Sequence, residues 1–364
     1  MVDKNLVTSV LKFTETKDMP ISTLSLLNAD GEILEGAQEP KIDKNTALKI
    51  YRDMNYIRVL DERMIGAQRQ GRLSFYVTCT GEEASVVGSI AAFSSQDMVM
   101  SQYREHAALR YRGFTSKQFM NQLLSNDLDL GKGRQMPIHY GSRDLNYMTI
   151  SSTLATQIPQ AAGYAYGQKL SGNDTCTICY FGEGAASEGD FHAGLNIAAV
   201  SKCPVVFVVR NNGYAISTPT SEQFVGDGIA PRGVGYGIPA IRVDGNDILA
   251  VHAASIEARN LAIEKNTPAI VETMSYRLGA HSTSDDPTSY RTSEEEEMWR
   301  QKDPIERMRK WLLGKGWWSD QQDHQMKDEY KKEILAALKS QEKRQPPVLD
   351  HLISDVYQTP PAHL

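Results

Sequence analysis

Apolar positions along the chain recur with two periods, and the switches between them outline the fold. From Asn45 the residues Leu48, Tyr51, Met54, Tyr56, Val59, Leu60 and Met64 fall at helical spacing, with Asn45-Thr46 as the N-cap and Gly71 as the stop. Glu82 to Phe93 predicts a helix rich in small residues, Met98 to Gln102 a short strand, and Ser116 to Leu124 another helix. The middle of the chain is the most regular part. Ala155 to Leu170, Gly189 to Val200 and Ile248 to Glu264 read as helices, and Thr175 to Phe181, Val205 to Val209, Ile241 to Val243 and Ala269 to Thr273 as strands. Strands alternating with helices of this length predict an α/β fold, a mainly parallel sheet with helices on both faces. Ligands of such sheets bind beyond the carboxyl ends of the strands, so the residues that follow each strand carry the functional question.

The two ends depart from this pattern. Residues 1–45 hold scattered apolar positions broken by Asp30-Gly31 and Glu39-Pro40 and read as an N-terminal arm; 46–295 form the α/β domain; 296–364 read as a helical C-terminal region with a Pro-rich tail from Gln345. Between Gly131 and Ser152 no period is visible, which marks a long functional loop.

Composition narrows the classes. With 364 residues, 41% apolar and 23% charged, the chain is globular and has ample material for a core. A net charge of −6 offers no general attraction for nucleic acid or an anionic membrane surface, so any phosphate must be bound locally. No apolar run approaches the roughly 18 residues of a membrane span. Cys176 and Cys179 form a C-x-x-C, but inside the strand-like run Thr175 to Phe181, with no second pair and no histidine at ligand spacing; with Cys79 and Cys203 they read as buried thiols of a reducing compartment. No arginine precedes Arg52 and the N-terminus has no continuous apolar core, so neither a signal peptide nor an arginine-rich transit peptide is expected. The expected compartment is a bacterial cytoplasm, or the mitochondrial matrix for a processed chain.

The chemistry follows two strands. After Thr175 to Phe181 comes Gly182-Glu183-Gly184; after Val205 to Val209 comes Arg210-Asn211-Asn212-Gly213-Tyr214. One helix and one strand separate Glu183 from Asn212, so in a parallel sheet the two emerge side by side. A carboxylate, an amide oxygen and nearby carbonyls suit a Mg²⁺ ion that shares its shell with a diphosphate, and glycines let the backbone approach that ligand. Other phosphate motifs do not fit. Gly131-Lys132-Gly133 lacks the Ser or Thr of a P-loop, Gly182-x-Gly184 lacks the third glycine of a dinucleotide site, and Gly226-Asp227-Gly228 repeats the motif without the strand order.

These residues resemble the diphosphate and magnesium motif of thiamine diphosphate enzymes. More narrowly, Ser101-Gln-Tyr-Arg-Glu105, Gly131-Lys-Gly-Arg-Gln-Met-Pro137, Thr149 to Pro159, Asn211 to Thr218 and Gly279 to Asp286 are similar to the α subunits of branched-chain 2-oxo acid dehydrogenase E1 components, over about residues 40–360. The resemblance implies that Glu183, Asn212 and the Tyr214 carbonyl hold Mg²⁺. It implies thiamine diphosphate contacts from Tyr103, Arg104, Ser152, Leu154, Gly182, Gly184, Ala185, Arg210, Ile216 and His281, with Arg104, Arg210 and His281 supplying local positive charge near the phosphates. His281 is the catalytic candidate, and Ser151, Thr153, Thr156 and Gln157 would surround K⁺, with Thr153 where the family usually has proline. Ser282 and Thr292 match positions that a kinase phosphorylates in mitochondrial relatives. The implied reaction is oxidative decarboxylation of branched 2-oxo acids with acyl transfer to lipoyl groups of an E2 acyltransferase. The implied partners are an E1 β subunit, in an α2β2 tetramer, and the lipoyl and subunit-binding domains of E2; β would supply the carboxylate on the aminopyrimidine side. Two alternatives remain at this point: a pyruvate or acetoin dehydrogenase α subunit, and a noncatalytic Mg²⁺-diphosphate-binding subunit.

Overall fold

The computed structural model describes residues 20–363, so the first part of the expected N-terminal arm lies outside the described residues. Eight strands follow in chain order: β1 (Thr23–Leu24), β2 (Met98–Met100), β3 (Thr177–Gly182), β4 (Val205–Asn211), β5 (Tyr214–Ala215), β6 (Thr218–Pro219), β7 (Ala240–Asp244) and β8 (Ala269–Met274). The helices are α1 (Lys44–Arg69), α2 (Glu83–Ile90), α3 (His106–Tyr111), α4 (Ser116–Leu123), α5 (Gln157–Leu170), α6 (Gly189–Ser201), α7 (Thr220–Gln223), α8 (Ala230–Gly235), α9 (Ile248–Lys265), α10 (Ser293–Arg300), α11 (Pro304–Gly314) and α12 (Asp320–Gln341). Six strands make one wholly parallel sheet in the order β1-β7-β8-β4-β3-β2, and β5-β6 is a small antiparallel hairpin.

Both faces of the sheet are covered, which explains the near-continuous apolar strands. Along β3 and β4, Ile178, Tyr180, Val206 and Val208 point into the core formed with α1, α2, α9 and α12. Their neighbours Cys179, Phe181, Val205, Phe207 and Val209 point the other way, onto α5 and α6. Cys176 and Cys179 thus lie in different cores, and all four cysteines are free and buried. The C-terminal helices join the first of these cores: Met308, Trp311, Leu312, Ile334 and Leu338 pack with Ile50, Tyr51, Met54 and Ile57 of α1.

Local details differ from the periodicity. Asp43, and not Asn45-Thr46, caps α1, accepting from the backbone N–H of Asn45 and Thr46 at 3.0 Å each. The arm adds the edge strand β1, with Thr23 in register with Arg242. Asp227 of the Gly-Asp-Gly decoy pairs with Arg242 at 2.9 Å and fastens this edge.

Candidate active site

Strands β2, β3, β4 and β8 end at one edge, and the register places Gly182 opposite Arg210 and Arg210 opposite Thr273. Glu183 and Asn212 therefore emerge together. The N–H of Asn212 donates to Oε2 of Glu183 at 3.2 Å, and Oδ1 of Asn212 accepts from the N–H of Tyr214 at 3.2 Å. Glu183 is 1% exposed and its Oε1 has no hydrogen-bond partner; burial raises its carboxyl pKa above the ordinary value. An unsatisfied buried acceptor costs about 1–3 kcal/mol, a cost that a bound cation removes. The donor set fits Mg²⁺.

These residues open on a cavity of about 380 Å³. Of the residues singled out above, Tyr103, Arg104, Leu154, Gly182, Glu183, Gly184, Ala185, Arg210, Asn212, Tyr214, Ile216 and His281 line it. The space fits a diphosphate-bearing cofactor. Gly182 donates its N–H to Oε1 of Gln102 at 2.9 Å, and a Cβ added at Gly184 would lie 2.8 Å from that of Ala215, so the Gly-Glu-Gly turn and the β5-β6 hairpin approach as only glycine permits. Ser152 does not line the cavity: it is exposed, and its hydroxyl lies 2.8 Å from Nε2 of His139. Nor do the four potassium candidates. Ser151 and Thr153 are exposed, Thr156 is half-buried, and Gln157 directs its amide nitrogen to the carbonyl of Tyr180 at 3.0 Å. None of their side-chain oxygens is among the buried side-chain atoms without a partner, so the K⁺ assignment rests on the resemblance alone.

The electrostatics correct one expectation. Arg210 is buried between two carboxylates, donating from Nε to Glu105 at 2.5 Å and from Nη1 to Glu82 at 2.8 Å. Burial alone would lower its pKa, but Glu105 and Glu82 outweigh that and raise it. His281 is not a cation: burial, then the charges of Arg104 and Arg277, push its pKa down to about 3. Positive charge at the site is thus compensated at Arg210 and absent from His281, and Arg277 joins Arg104 as a guanidinium in the cavity wall.

Arg277 also holds the hairpin, donating from Nη2 to the carbonyl of Ile216 at 2.7 Å and to the hydroxyl of Tyr290 at 3.0 Å. Ile216 has φ of 56°, a left-handed conformation that costs a β-branched residue energy and persists only when its surroundings impose it. Its side chain is 54% exposed at the cavity mouth. On the other flank, Asp285 accepts from the N–H of His281 at 2.7 Å and from the hydroxyl of Tyr290 at 2.6 Å, tying the 281–290 loop to the same group. Ser282 is half-buried in this loop, and the Thr292 hydroxyl caps α10 by accepting from the N–H of Glu295 at 3.2 Å.

Glu82, Glu105, Gln102 and Arg277 were not singled out from the sequence. For Glu82 one signal was available: it opens a run of small and apolar residues, Ala84 to Phe93, that reads as a buried helix; Glu105 stands among polar neighbours and gave none.

A parallel sheet with a carboxylate-amide pair and a cavity of this size at its carboxyl edge is an arrangement that fits a Mg²⁺-diphosphate ligand. The dehydrogenase E1 component family matches residues 51–349, and the chain belongs to that family, whose members are thiamine diphosphate-dependent. Its relatives include the 2-oxoisovalerate dehydrogenase subunit alpha of Homo sapiens, 49% identical over 93% of this chain and 76% of that protein. The subunit of the same name from Caenorhabditis elegans is 48% identical over 99% of this chain and 84% of its own. Subunit alpha 2 from Arabidopsis thaliana is 49% identical over 93% and 72%. All three are named as mitochondrial proteins. The α subunits of this family work with a β subunit in 2-oxo acid dehydrogenase complexes.

Proposed function

We propose that this chain is the α subunit of a 3-methyl-2-oxobutanoate (2-oxoisovalerate) dehydrogenase, oxidatively decarboxylating branched 2-oxo acids and passing the acyl group to lipoyl groups of E2. The observation that carries the site assignment is the buried, unpartnered Oε1 of Glu183 beside Asn212. Glu183, Asn212 and the Tyr214 carbonyl would hold Mg²⁺, and Arg104, Arg210 and Arg277 would face the diphosphate. When bound, thiamine diphosphate supplies the electron sink for decarboxylation; the protein binds, orients and excludes water. Leu154 and Ile216 line the cavity, where they would press on the cofactor. His281, neutral and held by Arg104, presents a hydrogen-bonding imidazole at the place where acyl transfer would occur. The K⁺ ligands and Ser152 stand as assignments by resemblance.

The partner is a β subunit, in an α2β2 tetramer. Leu154 and Ile216 are 37% and 54% exposed at the cavity mouth, so this chain leaves the cavity open. Beside it, α5 and α6 present Tyr164, Tyr166, Leu170, Ile197 and Val200 to solvent, with Gly163 and Gly167 having nothing within 4 Å of an added Cβ. Exposed apolar side chains on two neighbouring helices, with glycines that leave room for close approach, suit a packed subunit. The 281–292 loop would face the lipoyl domain of E2, and four free buried cysteines suit a reducing compartment such as the bacterial cytoplasm or mitochondrial matrix.

Turnover of 3-methyl-2-oxobutanoate and pyruvate by the chain with its cognate β subunit tests this reading. Preference for the branched acid is expected, with neither chain active alone. Preference for pyruvate reassigns the substrate, and cofactor binding without decarboxylation makes the subunit noncatalytic.

A further inference from the structure

Among the buried groups around the cavity, Glu105 makes the most connected set of contacts. It is 0% exposed. One oxygen, Oε1, takes Nε and Nη2 of Arg210, each at 2.5 Å. The other, Oε2, accepts the backbone N–H of Gln102 at 2.9 Å and of Tyr103 at 3.1 Å. One carboxylate thus joins the guanidinium at the end of β4 to the turn after β2. That turn carries Tyr103 and Arg104 into the cavity, and Gln102, which receives the N–H of Gly182. Glu82 closes the group, accepting from Nη1 of Arg210 at 2.8 Å and from Nδ2 of Asn212 at 3.2 Å.

The contacts leave Arg210 a defined task. A guanidinium has five N–H donors; Nε–H goes to Glu105 and one N–H of Nη1 to Glu82, with Nη2 held against the same Glu105 oxygen, so the remaining donors on the terminal nitrogens can be offered to a ligand in a fixed plane. Without Glu105, the long side chain regains its rotamers, and the turn loses the acceptor for two N–H groups.

We infer that Glu105 is a positioning residue for diphosphate binding, acting through Arg210 and the Gln102-Tyr103-Arg104 turn; this rests on the proposed diphosphate site. An isosteric amide cannot replace it, because both edges of the carboxylate face donors and an amide has an oxygen on only one. Aspartate keeps both acceptors but withdraws them by one methylene.

The test is a double-mutant cycle on thiamine diphosphate affinity, measured with saturating Mg²⁺ by calorimetry on the α2β2 complex. The set is wild type, Glu105→Gln, Arg210→Met and the double variant, with melting temperature recorded in parallel. Glu105→Gln is expected to weaken binding by about 10- to 100-fold, the range for losing a hydrogen bond to a charged group. The double variant should lose less than the sum of the two single losses, because the part of the Glu105 effect that runs through Arg210 is already gone while the part that runs through the turn remains. Binding of Glu105→Gln within twofold of wild type, or additive losses in the cycle, overturns the inference while leaving the site reading intact. If wild type itself fails to bind the cofactor, it is the site reading that fails. Should Glu105→Gln not assemble, Glu105→Asp enters the same cycle and is held to the same two criteria.

Discussion

Nη2 of Arg104 lies 3.1 Å from Nδ1 of His281 and 2.6 Å from the carbonyl oxygen of the same residue. A guanidinium only donates, so Nδ1 must accept, and the neutral ring carries its proton on Nε2. The arginine therefore sets the tautomer as well as the charge state.

With the His281 pKa down at about 3, the ring should not titrate between pH 5 and 8, which ¹⁵N shifts of labelled histidine would show. Arg104→Gln removes the second-largest cause of the depression and should move the pKa upward. The folded value lies below the unfolded one, so the unfolded chain binds the proton first as pH falls. The stability this group contributes is present above about pH 6.5 and lost progressively toward pH 3. Titration of wild-type His281 near its ordinary value would contradict the assignment.

Glu183→Gln should separate stability from binding. The folded pKa of Glu183 is raised by burial, so the carboxylate destabilises the cofactor-free fold once pH exceeds its folded value, and this penalty disappears below about pH 4.5. The amide should therefore raise the unfolding free energy of the cofactor-free protein at pH 7 by about 1 kcal/mol, read from chemical denaturation, while weakening Mg²⁺-dependent cofactor binding by about 100-fold or more. A variant that is both less stable and still able to bind would show that Glu183 serves the fold.

Two glycines should respond in opposite ways. Gly81 has φ of +94°, and an added Cβ would lie 2.2 Å from the carbonyl oxygen of Tyr276 and 2.9 Å from the nitrogen of Leu278, both backbone. Gly81→Ala should cost about 3 kcal/mol or more in chemical denaturation, and should loosen the segment that carries Arg277. A loss under about 1 kcal/mol would mean the two segments can part cheaply.

Gly163 lies inside α5 with nothing within 4 Å of an added Cβ. Gly163→Ala should stabilise the isolated chain by about 0.5–1 kcal/mol. Gly163→Arg should leave the chain folded by circular dichroism yet block its co-elution with β on size-exclusion chromatography. Normal assembly of the arginine variant would place the β contact elsewhere.

The legible and illegible parts of the site divide along a physical line. Glu183 and Asn212 could be paired in advance because parallel strands joined by one helix bring equivalent residues to the same edge. Gly182, Gly184 and Tyr214 travelled with them. Arg277 was missed because its role depends on β8 being inserted between β7 and β4, an order that no local spacing encodes. The capping of α1 was off by two residues because Asp43 outcompetes Asn45 and Thr46 for the free N–H groups, a difference decided by entry geometry.

By itself the sequence determined the alternating elements, the two-faced burial of β3 and β4, and the oxygen donors at the ends of neighbouring strands. These depend on period and spacing, which are local. Only the tertiary structure decided the charge of the site. It put Glu82 and Glu105 against Arg210 and withdrew His281 from water beside two guanidinium groups, so that a reading of focused positive charge became one of compensated arginines and a neutral imidazole. Ionisation answers to every group within a few ångströms, and Glu82 and Glu105 beside Arg210, like Arg104 beside His281, come from segments more than a hundred residues away.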